Sequence, residues 1–146
     1  MQAKDIMTTN VLTATADTDV GALAALMVDR HVSAVPVVEG DMRLVGIVSE
    51  GDLLRRPELG TERRTSWWLN FFGEGERLAQ DFAKAHGTKA ADVMTRDVVS
   101  VSEDASLESI ASLLEERHIK RVPVPRAGRL VGIVSRADLI RSLASH

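Results

Sequence analysis

The amino-acid sequence predicts a mixed α/β fold in which one β-α-β-β-α unit is built twice. Three observations carry this. Leu44-Val-Gly-Ile-Val-Ser recurs unchanged from Leu130, each time followed by two residues and an aspartate, Asp52 or Asp138. The match extends upstream: Asp5-Ile-Met-Thr against Asp92-Val-Met-Thr, Arg30-His31 against Arg117-His118, and Val35-Pro-Val against Val122-Pro-Val. The offset is 87 residues up to the turns and 86 after them, because the first turn has one extra residue. Finally, each copy places apolar residues at helical spacing ahead of two strand-like runs. Copies of about 52 residues rarely bury enough surface alone, so the pair is expected to pack face to face with pseudo-two-fold symmetry.

Taken in order, Val11-Leu-Thr-Ala and Val98-Val-Ser-Val are short β-prone runs. Asp17 and Asp104 follow as N-cap candidates. Val20, Leu23, Ala24 and Met27, then Leu107, Ile110, Ala111 and Leu114, fall at i, i+3, i+4, i+7, one face of an amphipathic helix. Both helices end at Arg-His, where positive charge suits the negative end of the dipole. His31 and His118 are therefore read as helix-terminal residues without chemistry. Two strands follow, turning at Glu39-Gly-Asp and Arg126-Ala-Gly. Pro36 and Pro123 cannot donate to a ladder, which puts their strand at an edge or gives it a bulge. The partner strand, Leu44 to Val48 or Leu130 to Val134, is nearly all apolar, as for a strand covered on both faces. A final helix opens at the Ser-x-x-Asp.

The domain reading is repeat 1 over 1–56, a spacer over 57–90 and repeat 2 over 91–146. The spacer matches no part of the repeat and holds all five aromatics, Trp67, Trp68, Phe71, Phe72 and Phe82. Their i, i+4 spacing predicts a short helix capped by Thr65 or Ser66, broken at Gly73 and Gly75 and resumed from Glu76 to His86. Such a segment is extra core, a lid or an interface. Met7 and Met94 read as core.

Composition narrows the function. The 146 residues carry 45% apolar and 27% charged side chains and a net charge of −3. With an acidic balance there is no basic field for nucleic acid, and Arg55, Arg56, Arg63 and Arg64 read as a solvated face beside Glu58 and Glu62. The absence of cysteine excludes disulfides and thiolate metal sites. His31, His86, His118 and His146 lack metal-ligand spacing, and no nucleophile–base pairing or Walker-type loop is visible, so no metal and no catalytic residue is assigned. The N-terminus lacks the pattern of a signal peptide, and no apolar run reaches the ~18 residues of a membrane span. A cytoplasmic location is expected.

The Ser-x-x-Asp corner supports two readings. As a capping box, Ser49 or Ser135 caps the helix while Asp52 or Asp138 reaches back to the cap amide. As a ligand site, the helix N-terminus and the serine hydroxyl meet a phosphate, and the carboxylate accepts two ribose hydroxyls. The copies differ nearby: Lys120 and Arg121 precede the proline strand of the second copy, where the first has Ser33 and Ala34. Arg121 is the better phosphate candidate, because its planar fork suits bidentate recognition.

The Asp-h-Met-Thr opening, the helix, the h-Pro-Val strand and the Leu-Val-Gly-Ile-Val-Ser-x-x-Asp ending, present twice, resemble the cystathionine-β-synthase (CBS) domain family. Two in tandem resemble a Bateman module. The resemblance implies a regulatory sensor, not an enzyme. It implies an adenosine-containing ligand (AMP, ADP or ATP, with NAD or S-adenosylmethionine as further options) in a cleft between repeats, with no required cofactor. In the family pattern the serine contacts phosphate, the aspartate holds the ribose, and the segment entering the first strand covers the adenine. The expected site is thus Ser135, Asp138, Arg121, Lys120, Thr95 and Val98, with a weaker one at Ser49, Asp52, Thr8 and Val11. A homodimer through helix faces is expected. The alternative is a ligand-free interaction or dimerisation module.

Overall fold

A computed structural model of the chain describes residues 1–54, 59, 84 and 86–145. The spacer aromatics, the proposed spacer helices, the four spacer arginines and His146 lie outside the described residues. The described elements are α1 (Ala3–Ile6), α2 (Val20–Arg30), β1 (Ala34–Glu39), β2 (Arg43–Ser49), α3 (Glu50–Leu53), α4 (Ala90–Val93), α5 (Leu107–Arg117), β3 (Arg121–Arg126), β4 (Arg129–Ser135) and α6 (Arg136–Ala144). The order α-α-β-β-α therefore occurs twice, giving the mixed α/β architecture with antiparallel strands.

Two compact units form, and they are not the two repeats. One gathers Met1–Thr13, Val38–Val45 and Asp97–His146; the other gathers Ala14–Val37 and Gly46–Arg96. The opening segment of the chain thus folds with the second repeat. The opening segment of the second repeat, through α4, folds with the first.

In the unit of the second repeat, β3 and β4 pair antiparallel from Arg121↔Ser135 to Arg126↔Arg129. The register slips between Val124 and Pro125, a bulge beside the second proline of a strand already short of donors. Ala127 and Gly128 connect the strands with φ of 51° and 81°. Both values are positive, as a two-residue type I′ turn requires. Ile110 and Leu114 of α5 bury against Val122, Val124 and Val134, with Ala3 of α1 completing the cluster. Backbone bonds from Ala3 N to Ala105 O (2.8 Å) and from Lys4 N to Glu103 O (3.0 Å) tie α1 in place.

The other unit repeats this plan with Leu23 and Met27 of α2 buried, along with Val35, Val37, Val48 and Val93. Val20 N donates to Thr88 O at 2.9 Å and Ala90 N to Thr18 O at 2.8 Å, which ties α4 down.

Several local expectations change. Asp17 and Asp104 are not the caps: the N-cap residues are Asp19 and Ser106. Ser106 Oγ accepts from Ser109 N at 3.1 Å, whereas Asp19 makes no cap bond and pairs with Lys89 instead. Asp104 pairs with Lys4 at 3.3 Å. Among the described residues, the backbone pairing of the first β run of each repeat is reduced to a parallel bridge from Ala14 to Val37, and a bond from Val101 N to Pro123 O. His31 and His118 sit at the helix C-caps with φ of 54° and 53°, the left-handed conformation that ends a helix.

The repeated glycine has a specific cause. A Cβ on Gly132 would lie 2.5 Å from Met7 Sδ, and one on Gly46 would lie 2.5 Å from Met94 Sδ. The Asp-h-Met-Thr methionine therefore lies across the bare strand, and the two motifs are one packing device.

Candidate functional site

Each unit holds one Ser-x-x-Asp corner where a strand runs into a helix. At the second corner, Asp138 Oδ2 accepts from Ser135 N at 2.8 Å and from Ser135 Oγ at 3.1 Å, while Ser135 Oγ accepts from Asp138 N at 3.2 Å. This is a complete capping box. Asp138 Oδ1 takes a bond from Arg141, three residues along the same helix, and a long one of 3.4 Å from Thr8 Oγ1. Asp138 is buried, so its carboxylate needs these donors.

Arg121 faces Ser135 in the strand register, and Lys120 O accepts from Arg136 N at 2.9 Å. The hairpin thus carries both basic residues to the N-terminus of α6. The backbone places Ser135, Asp138, Arg121 and Lys120 at this end of α6.

The first corner shares two of these three bonds: Asp52 Oδ2 accepts from Ser49 N at 2.9 Å and from Ser49 Oγ at 3.1 Å, but Ser49 makes no side-chain cap bond of its own. In place of Lys120 O it has Ser33 O, which accepts from Glu50 N at 2.9 Å. Asp52 Oδ1 accepts from Thr95 Oγ1 at 3.1 Å and from Lys84 Nζ.

The threonines are exchanged relative to the sequence grouping. Thr8 bridges to Ile133 of β4, with paired bonds of 2.9 and 3.0 Å, and so reaches Asp138. Thr95 bridges to Ile47 of β2, with bonds of 2.8 and 3.0 Å, and so reaches Asp52. Thr95 therefore belongs to the first corner and Thr8 to the second. The cause is the methionine beside each: Met7 packs on Gly132 and Met94 on Gly46, which fixes the following residue against that strand. Val11 and Val98 are half-buried and form no bridge to either corner among the described residues. Sequence reasoning also missed Lys84 and Arg141. Lys84 lies where nothing repeats, so no pattern marks it. Arg141 was legible as an i, i+3 partner of Asp138.

A family model described as CBS domain matches residues 3–58 and again residues 90–145. The chain belongs to the CBS domain family. Relatives match over most of the chain. The protein MJ1426 of Methanocaldococcus jannaschii is 32% identical over 154 residues, covering 98% of this chain and 91% of that one. CBSX1 of Arabidopsis thaliana, a chloroplastic CBS domain-containing protein, is 32% identical over 86% of this chain, which spans only 56% of it. Among solved structures, CBSX2 of the same plant, in complex with AMP, superposes with a TM-score of 0.84 at 31% identity, covering 99% of this chain and 97% of that one. No helix among the described residues is long and apolar enough to cross a membrane.

Proposed function

We propose that the chain is a cytoplasmic regulatory module, not an enzyme, that binds an adenosine nucleotide at its second corner. AMP, ADP and ATP are the favoured ligands, with NAD and S-adenosylmethionine as wider options. Ser135 and the N-terminus of the nine-residue α6 meet the phosphate, and Asp138 accepts the ribose hydroxyls. Arg121 and Lys120 balance the charge, and Thr8, in place of Thr95, closes the carboxylate side. Val98 stays in the reading only as a wall residue.

The observation that supports this best is the strand register that sets Arg121 across from Ser135. The likeness to an AMP-bound CBSX2 points the same way. The domain boundaries proposed are 1–56, 57–90 and 91–146.

Thermal shift against AMP, ADP, ATP, NAD and S-adenosylmethionine is the test. A ligand at one hundred times its dissociation constant adds about 2.7 kcal/mol to stability. A shift with one of them, lost in Arg121→Ala, supports the reading; none with any of the five sinks it.

A second reading, a ligand-free interaction or dimerisation module, is favoured by a different observation. The groove between α5 and α6, about 550 Å³, is lined by Leu107, Ala111, Leu139 and Leu143. Ile140 and Leu143 are 65% and 70% exposed there. Apolar faces of this kind mark interfaces, and a homodimer through this helix face is proposed alongside either reading. Leu143→Glu then shifts the sedimentation coefficient from dimer to monomer; a monomeric parent protein removes the dimer.

A further inference from the structure

One residue from outside both matched repeats is built into the first corner. Lys84 Nζ donates to Asp52 Oδ1, to the Val93 carbonyl at 3.0 Å and to Thr95 Oγ1 at 3.1 Å. An ammonium group has three N–H donors and no acceptor, and these three oxygens surround it as acceptors. Its side chain is 27% exposed and that of Asp52 11%.

Asp52 is committed as fully as the lysine. Oδ2 takes the two Ser49 donors, and Oδ1 takes Lys84 and Thr95. Four bonds fill the roughly four acceptor positions of a carboxylate. A ribose diol needs two of them, and the cap bonds to Ser49 hold the helix. The positions to be vacated are those on Oδ1.

At this place the second corner differs. Its Oδ1 is held by Arg141, whose side chain is 70% exposed, and by Thr8 at 3.4 Å. An exposed arginine swings into water at little cost. Displacing Lys84 instead separates a half-buried charge pair and strips a donor from the Val93 carbonyl and from Thr95.

We propose that Lys84 is an internal ligand of the first corner, holding on Asp52 the positions that ribose hydroxyls need. The chain therefore takes one nucleotide and directs it to the second corner. This rests on the nucleotide reading above.

The test is the stoichiometry of AMP binding by calorimetry on the full chain. The parent protein binds one AMP per chain. Lys84→Met, which keeps the apolar stem and removes the donors, binds two, and Lys84→Met with Asp138→Ala binds one. Lys84→Gln serves as a second variant if the methionine protein fails to fold. Two AMP in the parent, or one in both Lys84 variants, overturns the proposal. Binding in neither parent nor variants overturns the nucleotide reading and the selection together.

A readout without ligand separates these cases. A double-mutant cycle of Lys84→Met and Asp52→Asn in chemical denaturation shows coupling if the internal pair exists. Zero coupling overturns the inference even when the parent binds AMP.

Discussion

In one unit the corner aspartate is neutralised from its own helix, by Arg141; in the other it is neutralised from outside the repeat, by Lys84. Beneath the corners the packing is the same. Met7 lies across Gly132 as Met94 lies across Gly46, Thr8 bridges Ile133 as Thr95 bridges Ile47, and each serine donates the same pair of bonds to its aspartate. Duplicated scaffolds diverge where charge must be balanced, because core substitutions cost kilocalories while a partner for a half-buried carboxylate can be drawn from many places.

The shared scaffold is where the largest effects are expected. Gly132→Ala and Gly46→Ala should each lower stability by about 1–3 kcal/mol through overpacking. Equal losses in urea denaturation, each eased by Met7→Ala or Met94→Ala, sharpen the likeness. A loss in one unit alone breaks it.

Comparable in size is the difference between the corners. Arg121→Ala should weaken AMP about 10- to 100-fold, the range for losing a charged hydrogen bond of roughly 1.5–3 kcal/mol. Asp52→Ala should leave AMP affinity unchanged while costing more stability than the ~1 kcal/mol of a lost cap partner, because it also strands the half-buried Lys84 ammonium. Titration calorimetry on both variants decides whether the corners are unequal. Asp138→Ala loses both quantities at once, since the carboxylate is cap and candidate ribose acceptor together. It is a poor single test.

A smaller contrast lies at the starts of α2 and α5. Ser106→Ala should cost about 1 kcal/mol, because its hydroxyl accepts the Ser109 amide. Asp19→Ala should cost less, having no cap bond to lose. Thermal denaturation ranks the two.

The smallest effects are in pH dependence, and they have opposite signs in the two units. The hydrogen bond from Arg126 holds Glu103 below the usual carboxylate range. That pair stabilises above the unfolded value near 4.5, and the benefit is lost as pH falls through the lower folded value. The hydrogen bond to Asp19 raises Lys89 above its usual 10.5. Its contribution is complete below 10.5 and is lost as pH rises through the folded value. Glu103→Gln should flatten only the acid limb of the stability profile, and Lys89→Met only the alkaline limb. A change on both limbs from either variant breaks the separation.

What the sequence made legible was periodic or local. Leu23, Met27, Ile110 and Leu114 were readable as buried from their spacing, and Ser135 with Asp138 as a cap from theirs. The exchange of Thr8 and Thr95 was not readable. Two copies of Asp-h-Met-Thr are equivalent in sequence, and only the seating of Met7 on Gly132 tells which strand each follows. Ser106 was passed over for Asp104 because both residue types cap helices well and lie two apart. Lys84 was invisible for another reason. Its partners Asp52, Val93 and Thr95 are 32, 9 and 11 residues away, at no interval that a local pattern records.

The seating of α1 has a consequence for inheritance. A repeat of this chain is a unit of copying but not of folding, since each lends its first turn to the other's corner. Cutting the chain between the repeats would leave two incomplete halves. A change at Thr8 is felt 130 residues away, at Asp138. Selection on either corner therefore acts on both ends of the chain at once, which couples the fates of the two copies without requiring them to stay alike.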